Sequence, residues 1–206
     1  LDTYVKEGST QNFSHDERLW ISNMNYYGSR LTYLKVVDLP HLGANHFITS
    51  AKLCVRNVYA PTADTAIMCK EVLEDWDPET VTYENRPDVS GVYQDYCRVV
   101  KNQYSWKEFD VTSLARKWYL GENHGVQLSA PESESSFSQL HSSETANQPY
   151  FVLEYASLAG LESYLTYDHQ SAGLAETGSV SLVNGNLIFS HADTAMNGNR
   201  LLECNQ

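Results

Sequence analysis

Short runs of alternating hydrophobic and polar residues recur along the first three quarters of the chain. In the clearest run, Ala51, Leu53 and Val55 alternate with Lys52 and Cys54. A period of two places one set of side chains on the core face of a β-strand and the other toward solvent or a second layer. Similar runs, each predicted to be a strand, are residues 19–21, 31–37, 67–72, 80–83, 126–130 and 151–155.

Turn-forming residues separate these runs. They supply the fixed or positive φ angles that turns need, and they include Asp77-Pro78, Asn85-Arg86-Pro87, Gly91, Gly121, Pro131 and Pro149. Many short strands that are interrupted in this way favour an all-β fold. The pattern therefore predicts an antiparallel β-sandwich.

Residues 110–121 break the strand pattern. A capping residue, Asp110 or Thr112, precedes Leu114 and Trp118 at helical spacing, and a glycine follows. The segment predicts one short amphipathic helix. We expect it to close one end of the sandwich with Leu114 and Trp118 inward. A helix that docks a partner is the alternative.

The composition changes after Tyr155, which divides the chain into a predicted domain at 1–155 and an extension at 156–206. Asn184-Gly185 lies between two apolar runs, 180–183 and 187–189, and predicts a β-hairpin because both residues tolerate the positive φ of a tight turn. This extension either packs on the sandwich or begins a structure that continues in a longer protein. The sequence starts at Leu1 without a methionine, so we expect a piece of a longer precursor.

Charge and hydropathy exclude two classes of partner. The 206 residues include 26 acidic and 14 basic side chains, and the formal net charge is -12. Such a surface repels a phosphate backbone, so nucleic acid is not expected as a partner. No apolar stretch approaches the roughly 20 residues that span a bilayer, so direct membrane insertion is not expected either.

The cysteines do not predict a metal or redox site. Cys54, Cys69, Cys97 and Cys204 include no C-x-x-C pair, which argues against a zinc knuckle or a thioredoxin-type site. Their even number permits two disulfides without requiring them. The disulfide state is open at this point.

Motifs for catalysis are missing from the sequence. There is no G-x-S-x-G, H-E-x-x-H, P-loop or G-x-G-x-x-G, and His41, His46 and His124 are scattered among probable loops. Any pair of carboxylates chosen from 26 acids would be uninformative about glycoside hydrolysis. We therefore predict a protein that is not an enzyme.

Two acidic clusters raise the question of a bound cation. One contains Glu71, Glu74, Asp75, Asp77 and Glu79, and the other contains Glu132 and Glu134. Calcium takes carboxylate and loop carbonyl ligands, but no EF-hand spacing is visible. A solvated acidic face is the default interpretation, and a structural calcium is the only cofactor considered.

Aromatic residues in segments predicted to be loops are the candidate ligand-binding residues. Sugar rings present apolar C–H faces that stack on tyrosine or tryptophan, while nearby polar side chains bind the hydroxyls. Polar neighbours such as Asn23, Asp95 and Gln103 accompany the candidates. The candidates are Tyr26, Tyr27, Tyr93, Tyr96, Tyr104 and Trp106.

A series of motifs follows in order along the first 155 residues. They include residues 2–5 (DTYV), 29–35 (SRLTYLK), 48–53 (ITSAKL), 76–87 (WDPETVTYENRP), 109–112 (FDVT), 125–128 (GVQL) and 149–155 (PYFVLEY). In this order they resemble the DNRLRE domain, a family similar to carbohydrate-binding modules. The resemblance implies a jelly-roll β-sandwich that binds carbohydrate without catalysis.

The extension carries a second resemblance. Residues 160–167 (GLESYLTY), 177–180 (TGSV), 184–187 (NGNL) and 198–200 (GNR) look like the segment that joins a DNRLRE domain to a Rhs/YD-repeat region in wall-associated surface proteins of Gram-positive gut bacteria. This implies an extracellular, cell-wall-associated binding module with a glycan or host glycoprotein as its partner. The alternatives are a protein-binding adhesin that captures a secreted glycoprotein or an immunoglobulin, and a structural spacer with no ligand.

Overall fold

The computed structural model describes residues 1–43, 46–58, 64–132, 135–157, 167–171, 176–181 and 187–191. These residues form thirteen β-strands and one α-helix. In chain order the elements are β1 (Asp2–Lys6), β2 (Arg18–Ser22), β3 (Arg30–Leu34), β4 (His46–Arg56), β5 (Thr65–Val72), β6 (Val89–Val99), β7 (Trp106–Asp110), α1 (Thr112–Trp118), β8 (Val126–Ser129), β9 (Phe137–His141), β10 (Tyr150–Ser157), β11 (Tyr167–Ser171), β12 (Glu176–Ser181) and β13 (Leu187–His191).

The chain divides into two compact units. Leu1–Leu39 and Ser50–Leu153 form the first, and Pro40–Thr49 and Glu154–Gln206 form the second. Compactness does not establish that a segment folds independently, so the predicted boundary between 1–155 and 156–206 stays a prediction.

The first unit contains a sandwich of two sheets. The larger sheet has the strand order β6-β5-β8-β3-β2-β9, with β1 paired to β3, and its neighbouring strands run antiparallel. The smaller sheet has the order β10-β4-β7. This arrangement confirms the predicted antiparallel β-sandwich with one short helix.

Alternation along the strands builds the core. Ala51, Leu53 and Val55 of β4 are buried as predicted, and Leu53 pairs with the fully buried Phe109 of β7. In the larger sheet, Ile67 is buried in the same way. Burial of a leucine, valine, isoleucine or phenylalanine side chain contributes about 1.5–3 kcal/mol of transfer free energy, so this alternation stabilises the fold.

The single helix of the described residues confirms the prediction for residues 110–121. Leu114 and Trp118 are buried. The predicted cap is wrong, because Val111 is the N-cap residue and makes no side-chain cap bond. The Asp110 carboxylate instead accepts the backbone N–H of Thr112 at 2.9 Å, inside the first turn. No helix of the described part of the chain is long and apolar enough to cross a membrane.

The predicted strand at residues 80–83 is wrong. This segment is a series of turns, in which the Asp77 carboxylate accepts the N–H of Glu79 at 3.0 Å and the Asn85 side-chain oxygen accepts the N–H of Thr82 at 2.6 Å. Asx side chains thus satisfy backbone groups that a sheet would otherwise pair. Val81 anchors the segment, since it is buried in a cluster with Val5, Tyr33 and Val72.

Strand β6 was not predicted, and the placement of Tyr93 and Tyr96 in a loop is wrong because both residues lie on this strand. Gly91, predicted to be a turn residue, lies there too. Polar side chains occupy both faces of β6, so its sequence lacks the alternation of hydrophobic and polar residues that predicts a strand. Strands β1, β7 and β9 were also missed, and β3 ends at Leu34 rather than at residue 37.

The second unit contains the antiparallel sheet β11-β12-β13. Val180 of β12 pairs with Leu187 of β13, which confirms the predicted hairpin. The predicted turn, Asn184-Gly185, lies outside the described residues, as does Cys204. Cys54, Cys69 and Cys97 are free thiols.

Asp2 predicts a pH dependence of stability. Its carboxylate accepts the Ser143 N–H at 2.9 Å and is 5% exposed. Burial raises the pKa of Asp2 above its usual value of 3.8, so ionised Asp2 lowers the stability of the folded state. This part of the stability is present below pH 3.8 and is lost as the pH rises through the folded-state pKa. We expect Asp2→Asn to increase the free energy of unfolding at pH 7, and the increase to shrink toward pH 4.

Urea denaturation at several pH values measures this difference, with exposed Asp38→Asn as the matched control. A difference between Asp2→Asn and the wild type that does not change with pH would contradict the assignment.

Candidate functional site

A groove lies on the face of the larger sheet opposite the one that carries the buried side chains of Ile67 and Cys69. On β5, Ile67 and Cys69 are buried, whereas Met68 and Lys70 line this groove, whose volume is about 500 Å³. Its lining also includes Asn23, Tyr83, Gly91, Tyr93, Gln127 and Glu132. Aromatic, amide and charged side chains therefore meet in one concave surface.

Gln127 of β8 forms the floor of the groove. It pairs with Tyr33 of β3 on one side and with Lys70 of β5 on the other. Its amide nitrogen donates to the Tyr33 hydroxyl at 2.7 Å. Burial raises the pKa of Tyr33 to about 12, so its hydroxyl stays protonated at neutral pH. Gln127 also lines a neighbouring cavity of about 360 Å³ with Arg86 and Asp88.

A β-bulge places Tyr93 and Tyr96 side by side. Tyr96 pairs with Met68 and Tyr93 pairs with Lys70, so Gln94 is an extra residue in β6. Met68 and Lys70 are alternate residues that face the groove. The bulge therefore brings two tyrosines, three positions apart in sequence, to the same face. Their ring centroids are 6.0 Å apart with an interplanar angle of 87°.

Hydrogen bonds to the start of α1 hold this bulge. The Gln94 side-chain oxygen accepts the Ser113 hydroxyl at 2.9 Å. The Asp95 carboxylate accepts the backbone N–H groups of Asp110, at 2.7 Å, and of Tyr96, at 2.8 Å. Asp95 was predicted to be a polar neighbour of the candidate aromatic residues. In the structure its side chain joins β6 to β7.

Tyr83 comes from the turn segment that covers part of the same face. The Arg86 guanidinium lies 4.1 Å from the centroid of the Tyr83 ring, and Arg86 also donates to the Tyr83 carbonyl oxygen. This cation–π contact fixes the ring at the wall of the groove. Tyr83 was not predicted to be a site residue because it belongs to the segment that was predicted to be a strand.

Tyr26 and Tyr27 lie in the turn between β2 and β3 and do not line the groove. Tyr27 stacks on Phe137 with centroids 4.8 Å apart, and Tyr26 is 88% exposed. Asn23, just before this turn, does line the groove. Its side-chain oxygen accepts the Ser136 N–H at 2.7 Å.

Tyr104 and Trp106 are also separate from the groove. Tyr104 is exposed in the connection between β6 and β7, whereas the predicted loop placement of Trp106 is wrong because Trp106 begins β7 on the smaller sheet. Trp106 contacts Tyr150, with ring centroids 4.9 Å apart. The six predicted residues thus fall into several places, and only Tyr93 lines the groove, with Tyr96 beside it.

Two residues of the first acidic cluster, Glu71 and Asp75, form ion pairs with lysines. Lys117 donates to Glu71 at 2.7 Å, and Lys35 donates to Asp75 at 2.7 Å. The Lys35 ammonium holds the pKa of Asp75 below its usual value. Among the described residues, no group of three His, Cys, Asp or Glu side chains is arranged to hold a metal ion. Glu134 of the second cluster lies outside them.

Comparison with protein families places this groove in context. The model of carbohydrate-binding module family 96 matches residues 1–155. The chain belongs to this family. No curated protein matches the chain in a sequence search. Membership in family 96 confirms the predicted class, a carbohydrate-binding module on a β-sandwich.

The floor of the groove in this family 96 module gives a test of its architecture. Tyr33→Phe removes the acceptor of the Gln127 amide, and both residues are buried. We expect the free energy of unfolding to fall by about 1–3 kcal/mol, the usual cost of an unpaired buried polar group. Urea denaturation measures the change. Tyr26→Phe is the control, since it removes an exposed hydroxyl, and an equal effect of both substitutions would contradict the interpretation.

Proposed function

We propose that this family 96 domain is a non-catalytic module that binds a polysaccharide in the groove. The observation that carries the proposal is the bulged pair Tyr93 and Tyr96 at the edge of a concave, polar floor. A pyranose ring stacks its C–H face on an aromatic side chain. Lys70, Asn23 and Gln127 line the same groove and supply the donors and acceptors that sugar hydroxyls need.

The carboxylates of the groove support a binding role over hydrolysis. Glycosidases of the common types place two carboxylates across the scissile bond. Among the described residues that line the groove, Glu132 is the only carboxylic acid. The amide, amine and hydroxyl groups around it suit recognition of a sugar rather than cleavage of its glycosidic bond.

We further propose an extracellular, cell-wall-associated location within a larger surface protein. The support is the resemblance of residues 1–155 to the DNRLRE domain and of residues 156–206 to the entry of a Rhs/YD-repeat region. In that setting the module attaches its parent protein to a glycan or to the sugars of a host glycoprotein.

Truncation of the aromatic pair tests the binding site. We expect Tyr93→Ala and Tyr96→Ala each to weaken binding about tenfold or more, as loss of a central aromatic contact does. Affinity electrophoresis in gels containing xylan, mixed-linkage β-glucan or galactomannan identifies a ligand, and calorimetry with the matching hexasaccharide measures the affinity. Tyr26→Ala is the control, since it removes an exposed ring outside the groove. Equal weakening by all three variants, or no binding to any glycan, would overturn the proposal.

Gly91 offers a steric test of the same groove. A Cβ atom at this position meets nothing within 4 Å, and Gly91 lines the groove. Gly91→Leu should therefore fold normally yet fill space that the ligand needs. We expect an unchanged melting temperature and loss of binding, with Gly91→Ala as the mild control. Full affinity in the leucine variant would place the ligand elsewhere.

Protein capture is the competing outcome. Immunoglobulin and secreted glycoproteins can be presented to the immobilised chain before and after enzymatic deglycosylation. Binding that disappears with the sugars supports the glycan proposal. Binding to the bare protein would overturn it in favour of an adhesin that recognises polypeptide.

A further inference from the structure

The outer surface of the smaller sheet carries a second aromatic pair, Trp106 and Tyr150. Trp106 begins β7 and Tyr150 begins β10, and β4 lies between these two strands. Their ring centroids are nevertheless only 4.9 Å apart, with an interplanar angle of 67°. The two rings therefore meet above the middle strand.

Cys54 of β4 explains how the rings can meet. Its neighbours Leu53 and Val55 are buried in the core, so Cys54 lies on the opposite face of the strand. Cys54 is itself buried, and its thiol, next to the Tyr150 hydroxyl, raises the pKa of Tyr150. A small side chain at this position leaves room for two large rings over it.

Both side chains of the pair are partly exposed to solvent. Trp106 is 37% exposed and Tyr150 is 44% exposed. The surface is also distinct from the groove, which belongs to the other sheet.

Fixed polar groups surround the two rings. The Arg56 guanidinium lies 5.9 Å from the centroid of the Trp106 ring and donates to the Asn147 side-chain oxygen. That bond orients the Asn147 amide, whose N–H₂ group is a donor. On the far side, Lys52 and Glu108 form an ion pair at 2.8 Å. An apolar ring surface bordered by donors and acceptors matches a sugar, which has apolar faces and a rim of hydroxyls.

The size of the surface disfavours a second copy of the chain as its occupant. The exposed parts of two aromatic side chains amount to on the order of 200 Å², because a whole aromatic residue buries about 150–250 Å². Stable protein interfaces bury about 1,200–2,000 Å². One pyranose ring, in contrast, covers an area comparable to that of the two rings.

We propose that Trp106 and Tyr150 form a second glycan-binding site that takes a single hexopyranose unit, with Arg56 and Asn147 binding its hydroxyls. The ligand class rests on the proposed function, whereas the location does not. The module is then bivalent, and it binds two chains or two segments of one polysaccharide. Two weak sites on one rigid body raise the apparent affinity for a long polymer about 10²–10⁴-fold over a single site.

Stoichiometry tests this site with the full chain and a hexasaccharide of xylan, mixed-linkage β-glucan or galactomannan, whichever retards the wild type in gels. We expect calorimetry to give two bound hexasaccharides for the wild type and one for Trp106→Ala and for Tyr150→Ala. Tyr93→Ala should also bind one, and the double variant Tyr93→Ala with Trp106→Ala should bind none. Trp106→Phe should restore the second site, and Tyr104→Ala, an exposed ring nearby, should leave both sites intact.

The outcomes separate this proposal from the groove proposal. One bound hexasaccharide, lost in Tyr93→Ala and unaffected by Trp106→Ala, overturns the second site and leaves the groove. One bound hexasaccharide, lost in Trp106→Ala and unaffected by Tyr93→Ala, overturns the groove and leaves the Trp106–Tyr150 site.

Because Trp106→Ala uncovers Cys54, its melting temperature is measured as well. If it unfolds, the Trp106→Phe and Tyr150→Ala stoichiometries decide. Dimerisation in sedimentation that Tyr150→Ala abolishes would overturn the glycan assignment.

Discussion

Alternation along the strands of the larger sheet is the constraint on which the rest of the molecule depends. Successive side chains of a strand point to opposite faces, so burial of one set commits the other set to the opposite side. On β5 the buried Ile67 and Cys69 fix Met68 and Lys70 toward the groove. The same argument on β4 sends Leu53 and Val55 inward and leaves Cys54 under the Trp106–Tyr150 pair. Both candidate binding surfaces are thus consequences of how the core is buried.

Strict alternation alone would not produce the groove, because two departures from it shape the walls. The extra residue Gln94 in β6 brings Tyr93 and Tyr96 to one face, and its bonds to the start of α1 hold the irregularity in place. The Asx turns at Asp77 and Asn85 let a non-strand segment cross the sheet and present Tyr83. In both places a side-chain hydrogen bond takes the place of a backbone hydrogen bond of the sheet. An aromatic side chain then points in a direction that regular alternation would not give it.

These departures also explain what the sequence could predict and what it could not. Residues 51–55 and 110–121 were predicted because the periodicity of apolar residues is a local property of the sequence. The prediction of a strand at 80–83 was wrong. Thr80 and Val81 have high β propensity, but the hydrogen bonds that determine the conformation come from the side chains of Asp77 and Asn85, which lie outside these four residues. The bulge at Gln94 depends on the register with β5, which no local pattern encodes. Tyr150 was missed as a site residue because its relation to Trp106 depends on the order β10-β4-β7.

The placement of these aromatics on strands has a consequence for binding. Loop side chains lose conformational entropy when a ligand orders them, at a cost of about 0.5–1.5 kcal/mol for each flexible side chain. Tyr93 and Tyr96 lie on β6, and Trp106 and Tyr150 lie on β7 and β10, so the sheets fix their backbones before any ligand arrives. Contacts of Arg86 with Tyr83 and of Trp106 with Tyr150 restrict these rings further. A single sugar stacked on such a ring gains little free energy, but little of that gain is lost to ordering. A rigid module with shallow sites therefore suits long polymers, whose many repeated units offer many weak contacts.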